Sequence, residues 1–255
     1  MSGGVRVDVD AGVAVVTIDR PDVRNAIGSA TIDELNAALD HVEASDAAVL
    51  VLRGGGDRAF VSGGDLKELG AIRTHEDAVR MASRARRMLD RVAAFPVPVV
   101  AALNGHALGG GAEVAIAADI RIAADDVKIG FNQVTLGIMP AWGGAERLAQ
   151  TVGRGRSLLA IATGEVYDAV TAQRLGLVDL VVPRAAFDDE WQALARRLAA
   201  LAPGTTRAVK SVIDAAVPAR HPQLAPAATE AFARLWTADA HWAAVDAMQQ
   251  QRKGD

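Results

Sequence analysis

The chain has 255 residues, 51% of them apolar and 23% charged, with a formal net charge of -4. That length suits one large domain or a core with an appendage, and the acidic balance leaves no basic footprint for nucleic acid. Cysteine is absent, which excludes disulfides, zinc–thiolate sites and a cysteine nucleophile, and fits a reducing cytoplasm.

The opening MSGGVRVDVDAG places charges where a signal peptide needs an apolar stretch, so no export signal is expected. VRVDVD and GVAVVTIDRP alternate on either side of a glycine and predict a hairpin. Thr31 is expected to cap a helix, with Glu34 completing a capping box and Ile32, Leu35, Ala38, Leu39 and Val42 as its apolar stripe. AAVLVLRG (47–54) is a continuous apolar run, as in a strand buried on both faces. The following Gly54-x-Gly56-x-x-Ala59 has the outline of a dinucleotide-binding turn. The fingerprint needs a helix there, however, and the chain instead runs on through Phe60, Val61 and Ser62.

FVSGGDLKEL (60–69) turns at Gly63-Gly64 and enters a short helix at Asp65. Residues 75–94 predict a second, longer helix, and VPVVAALNG another buried strand. The longest apolar run, Val92 to Leu103, contains Pro96 and Pro98 and is too short to span a membrane. HALGGGAEVAIA then turns at three glycines into a helix. DIRIAADDVKIGF alternates again as strand. Strand and helix take turns to about residue 180, which predicts an α/β core with a largely parallel sheet. From Phe187 the pattern is helical, divided by Pro203, Pro218, Pro222 and Pro226. Leu224, Ala228, Ala231, Phe232, Leu235 and Trp236 share one helix face, which suits either the chain's own core or a subunit interface.

Two of these turns carry candidate chemistry. Each offers unpaired backbone N–H groups at a helix start, where negative charge is favoured. If the fold brings Gly64 and Gly110 together, their N–H groups form an oxyanion hole for a developing carbonyl charge. Glu113 lies three residues beyond Gly110, which returns its carboxylate to the same face one turn along. A buried acid there needs a partner or a task. The five histidines are scattered without metal-ligand spacing, and His106 reads as a structural hydrogen bonder. The arginines at 80, 84, 86, 87 and 91 read mainly as a solvated helix face.

RPDVRNAI (20–27), AFVSGGDLKEL (59–69), PVVAALNGHALGGGAEVAIAADIRIA (98–123) and LGIMPAWGGAERL (136–148), in this order, resemble the crotonase, or enoyl-CoA hydratase/isomerase, superfamily. The resemblance implies a spiral of ββα turns over residues 1–186. It also implies a helical C-terminal region, 187–255, that assembles a trimer or a dimer of trimers. It implies an acyl-CoA substrate, with coenzyme A entering as part of that substrate and no separate cofactor or metal. Gly64 and Gly110 match the thioester-binding positions, and Asp65, Leu66 and Lys67 follow in the acyl-CoA loop. Arg24 sits where the family often has a basic residue near CoA. Glu113 matches the glutamate that holds the water in hydratases.

The second hydratase glutamate is replaced. GFNQVTLGIMP puts Asn132 at the usual proline and Gln133 at the usual acid. An amide orients groups but does not exchange a proton as a carboxyl does. Trp142 also replaces the small residue usual before the paired glycines, similar to ethylmalonyl-CoA decarboxylase-like members, and reads equally well as a substrate-pocket or packing residue without that implication. The expectation is an enoyl-CoA hydratase of hydratase/isomerase type, with a malonyl-type acyl-CoA decarboxylase or a non-catalytic acyl-CoA binder as the alternatives.

Overall fold

The computed structural model describes residues 4–202, 204–216 and 224–254. The predicted hairpin forms. β1 (Val5–Asp10) and β2 (Val13–Ile18) run antiparallel with Val7 opposite Val16, turning at Ala11 and Gly12, both at positive φ. α1 spans Ser29–Glu43 and buries the whole predicted stripe, Ile32 to Val42. Its start differs from expectation. Gly28 holds the cap position, and Thr31 and Glu34 lie inside the helix. The Ser29 N–H is satisfied by the Glu68 carboxylate instead, at 2.9 Å.

β3 (Val49–Gly54) is followed by a second strand, β4 (Ala59–Val61), and not by a helix, so the dinucleotide outline does not materialise. The glycine loop between them is held by side-chain amides. Asn25 donates to the Gly55 and Ala59 carbonyls, and Asn104 bridges the Gly54 N–H and the Gly56 carbonyl. Next come α2 (Leu66–Leu69), α3 (His75–Ala93), β5 (Val99–Leu103) and β6 (His106–Leu108). α4 (Gly110–Ala117) then leads to β7 (Ile120–Ala124) and β8 (Lys128–Gly130). The alternating stretch therefore holds two strands.

Each turn of the chain thus holds a long strand, a short strand and a helix, and the two strands of a turn join different sheets. The first sheet has the order β1-β2-β3-β5-β7-β10 and is parallel apart from its hairpin; the second is β4-β6-β8-β9. This is the α/β spiral of ββα turns. β3 and β5 are buried nearly throughout because other layers cover both faces of the sheet. His106 Nδ1 accepts the Lys128 N–H at 3.1 Å, a structural bond between β6 and β8.

α5 (Gly144–Val152), α6 (Arg154–Thr163), β9 (Val166–Asp168), α7 (Ala169–Leu175) and β10 (Leu180–Val182) complete the core. Among the described residues four C-terminal helices follow: α8 (Phe187–Ala199), α9 (Thr205–Ala216), α10 (Leu224–Trp236) and α11 (Asp239–Gly254). Pro226 lies in the first turn of α10 and not between helices, since proline is tolerated there. Pro203, Pro218 and Pro222 fall outside the described residues. α10 packs on α3, burying Phe232 and Trp236 within one chain, with the Trp236 Nε1–H bonded to the Ile72 carbonyl. Leu224 and Leu235 remain exposed. The shared face therefore belongs in good part to the chain's own core. Among the described residues, no helix is long and apolar enough to cross a membrane.

Candidate active site

Parallel pairing of β4 with β6 sets Val61 beside Ala107, so the chain leaves both strands at one end of the second sheet. The two glycine turns follow at once and abut. A Cβ on Gly63 would lie 3.4 Å from the Gly110 nitrogen. The first turn is pinned by Ile27, whose N–H donates to Gly63 O and whose carbonyl accepts from the Asp65 N–H. The second is pinned by the Gly109 N–H on Gly130 O. Gly109 has φ 56 and ψ -118, a region open to glycine alone. Among the described residues, neither the Gly64 nor the Gly110 N–H has a protein acceptor.

Glu113 is 2% exposed, yet each carboxylate oxygen has a partner. Oε2 accepts the Trp142 N–H at 2.7 Å and the Gly144 N–H at 2.9 Å, and Oε1 accepts from Gln133 Nε2 at 3.0 Å. Gly144 must lack a Cβ, because one there would overlap Glu113. Burial pushes the Glu113 carboxyl up to about 7; the Gly144 and Trp142 N–H groups and the Arg147 guanidinium oppose the rise, and Glu146 adds to it. An acid in that range exchanges protons readily near neutral pH.

Gln133 sits in a 3-10 turn, Asn132–Leu136, and is itself buried. Its amide nitrogen faces Glu113. Among the described residues its Oε1 has no hydrogen-bond partner although it is buried, so an acceptor is left for a bound molecule. Trp142 reaches the same place from a third element. Its indole carbons Cζ3 and Cη2 lie 2.5 and 2.7 Å from where a Gly110 Cβ would be, and Cζ2 lies 3.7 Å from the corresponding point on Gly64. Gly64, Gly110, Glu113, Gln133 and Trp142 are therefore gathered in one place.

The other predicted residues stand at the edge. Asp65 caps α2 through the Lys67 N–H and pairs with Arg20 at 3.0 Å, so its carboxylate is engaged in holding the loop. Leu66 and Lys67 are exposed beside it. Arg24 is exposed with φ 55, and its carbonyl accepts the Ser62 N–H, which sets it next to the first glycine turn. Of the arginines on α3, Arg80 pairs with Asp77, Arg84 with Asp33 and Arg91 with Asp40 on the surface.

Arg86 is largely buried against Glu146 at 2.8 Å. It belongs to a charged layer that sequence reasoning missed. Arg147, buried on α5, donates to the Trp142 carbonyl at 2.8 Å and pairs with Asp90 of α3. It thereby braces the segment whose N–H groups hold Glu113. The glycine pair at 143–144 was a visible signal of a tight loop, but nothing local tied that loop to Glu113. Two cavities of about 290 and 220 Å³ open elsewhere, one under α8 and one near Ala48 and Thr206. Among the described residues no group of three or more metal-ligating side chains is gathered.

A sequence profile described as enoyl-CoA hydratase/isomerase matches residues 8–253. A probable enoyl-CoA hydratase of Bacillus subtilis strain 168 is 40% identical over 77% of this chain and 76% of its own length. A short-chain-enoyl-CoA hydratase of Clostridium acetobutylicum is 32% identical over 98% of this chain and 95% of its own. Among solved structures, an enoyl-CoA hydratase from Bacillus anthracis superposes with a TM-score of 0.81 at 30% identity, covering 97% of this chain and 96% of that one.

Proposed function

The chain belongs to the enoyl-CoA hydratase/isomerase family, and from that premise we propose that it hydrates the 2,3-double bond of an enoyl-CoA thioester with one carboxylate. The observation that carries this reading is the setting of Glu113. A buried acid held near 7 stands between two free N–H turns and an amide with an unused acceptor.

The thioester oxygen takes the Gly64 and Gly110 N–H groups, which draws charge from C3 and stabilises the enolate that follows. Water is held between Glu113 and Gln133 Oε1. As its oxygen bonds to C3, Glu113 accepts its proton; the enolate then takes that proton at C2, restoring the carboxylate. Gln133 orients the water and exchanges no proton. Arg24, Leu66 and Lys67 are assigned to the CoA side of the site, with Asp65 holding the loop. No cofactor beyond the CoA of the substrate is invoked.

Amide chemistry at position 133 also suits decarboxylation of a malonyl-type CoA, which needs no base at carbon. Hydration is favoured because an ionised Glu113, buried in the site, would repel a substrate carboxylate. The test is hydration of crotonyl-CoA beside CO₂ release from malonyl-type CoAs. Glu113→Gln is expected to lower hydration by about 10²–10⁴, and Gln133→Glu to raise it at least about tenfold, by supplying a second positioned acid. CO₂ release from wild type, with hydration unmoved by Gln133→Glu, would replace hydration by decarboxylation. Binding without either turnover would leave a non-catalytic acyl-CoA binder.

Residues 187–255 are proposed as an oligomerisation region of a trimer or a dimer of trimers in the cytoplasm. The exposed Val209, Val212 and Ile213 of α9 support the assembly, and the absence of cysteine fits the compartment.

A further inference from the structure

Trp142 is fixed at its backbone from both sides. Its N–H donates to Glu113 Oε2, and its carbonyl accepts from Arg147. These two bonds hold in place the loop that carries the indole. From that anchor the six-membered ring extends to both glycine turns. Cζ3, Cη2 and Cε3 lie 2.5, 2.7 and 3.1 Å from the Cβ position of Gly110, and Cζ2 lies 3.7 Å from that of Gly64. The residue is 6% exposed, so its ring is packed in place. Leu69 closes on Gly64 from α2, over the same Cβ position.

We propose that Trp142, with Leu69 beside it, limits the acyl group of the substrate to a short chain, and so determines chain-length specificity. The inference rests on the acyl-CoA hydratase reading. A thioester whose oxygen meets the Gly64 and Gly110 N–H groups places its acyl carbons beside the indole and Glu113. A longer tail meets the ring and must displace a packed side chain whose backbone is held. Each methylene in a hydrophobic pocket carries a measurable discrimination, so a rigid aromatic wall gives a sharp cut-off.

The experiment compares four-carbon and ten-carbon trans-2-enoyl-CoAs by kcat/KM, and binding of butyryl-CoA and decanoyl-CoA, which do not react, by calorimetry. Wild type is expected to prefer the four-carbon chain in both readouts. Trp142→Ala should shift the ten- to four-carbon ratio at least about tenfold toward the long chain, with Trp142→Leu moving it the same way if the alanine variant does not fold. An unchanged ratio in a folded variant, or a wild type indifferent to length, overturns the role of Trp142. Length-selective binding that Trp142→Ala relaxes, without turnover by wild type, would uphold Trp142 and reject hydration. A wild type that binds neither thioester would overturn both.

Discussion

Burial holds the Glu113 carboxyl near 7 against an ordinary value of 4.5, so between those pH values the folded chain keeps a proton that the unfolded chain has released. This contribution to stability is fully present below about pH 4.5 and is lost as pH rises through about 7, an effect of about 3 kcal/mol. Glu113→Gln removes the ionisation while an amide oxygen can still accept from Trp142 and Gly144. Its Tm relative to wild type should therefore climb steadily from pH 5 to about pH 8, paid for in lost activity. Thermal unfolding across that range checks this; a Tm difference independent of pH would contradict the raised carboxyl. At this scale the pairing of Gly110 with Glu113 was legible, because one helical turn sets both on one face; Gly64 and Gln133 were joined to them only by the family resemblance, since 46 residues separate Gly64 from Gly110 and 20 separate Gln133 from Glu113. The Trp142 and Gly144 donors were not legible. They come from 29 and 31 residues further along the chain, where no periodicity links them to Glu113.

Elements with a strong apolar pattern were read closely: the hairpin, α1, α3 and the buried strands β3 and β5 all form where the pattern places them. The misses share a cause in tertiary contact. The start of α1 is set by Glu68, 39 residues away, and not by a local capping box. The alternating stretch after α4 divides because Asp125 and Asp126 turn the chain, with the Asp125 N–H bonded to Val182 O and both carboxylates meeting Arg184. That turn sends β7 and β8 to different sheets. Alternation reports which face of a strand is covered and is silent on which neighbour covers it.

Across the whole molecule, the helical C-terminal region is both a cover and an exposed surface. α10 closes over α3, and α11 packs against the turn that carries Gln133, with the His241 Nδ1–H donated to the Leu136 carbonyl at 2.6 Å. Lys210 on α9 pairs with Asp119 at the entry to β7, tying a third helix to the sheet. The apolar face around Phe232 could be read from sequence, but its partner could not, because α3 and another subunit offer the same chemistry to an apolar stripe. The outer face of α9 is exposed, Val212 by 70%, which supports the proposed symmetric contact. Light scattering at micromolar concentration should give the mass of a trimer or hexamer; a stable monomer would remove the oligomerisation assignment.

The proposed hydration needs one carboxylate that takes a proton from water and returns it to C2, beside an amide that only orients. Its most direct test is kcat/KM for crotonyl-CoA hydration by wild type between about pH 5 and 9. A single ionised acid requires the rate to rise through one inflection near 7 and then hold level, and Glu113→Gln should abolish that inflection. A bell-shaped profile that persists in Glu113→Gln, or no 3-hydroxybutyryl-CoA at any pH, would contradict it.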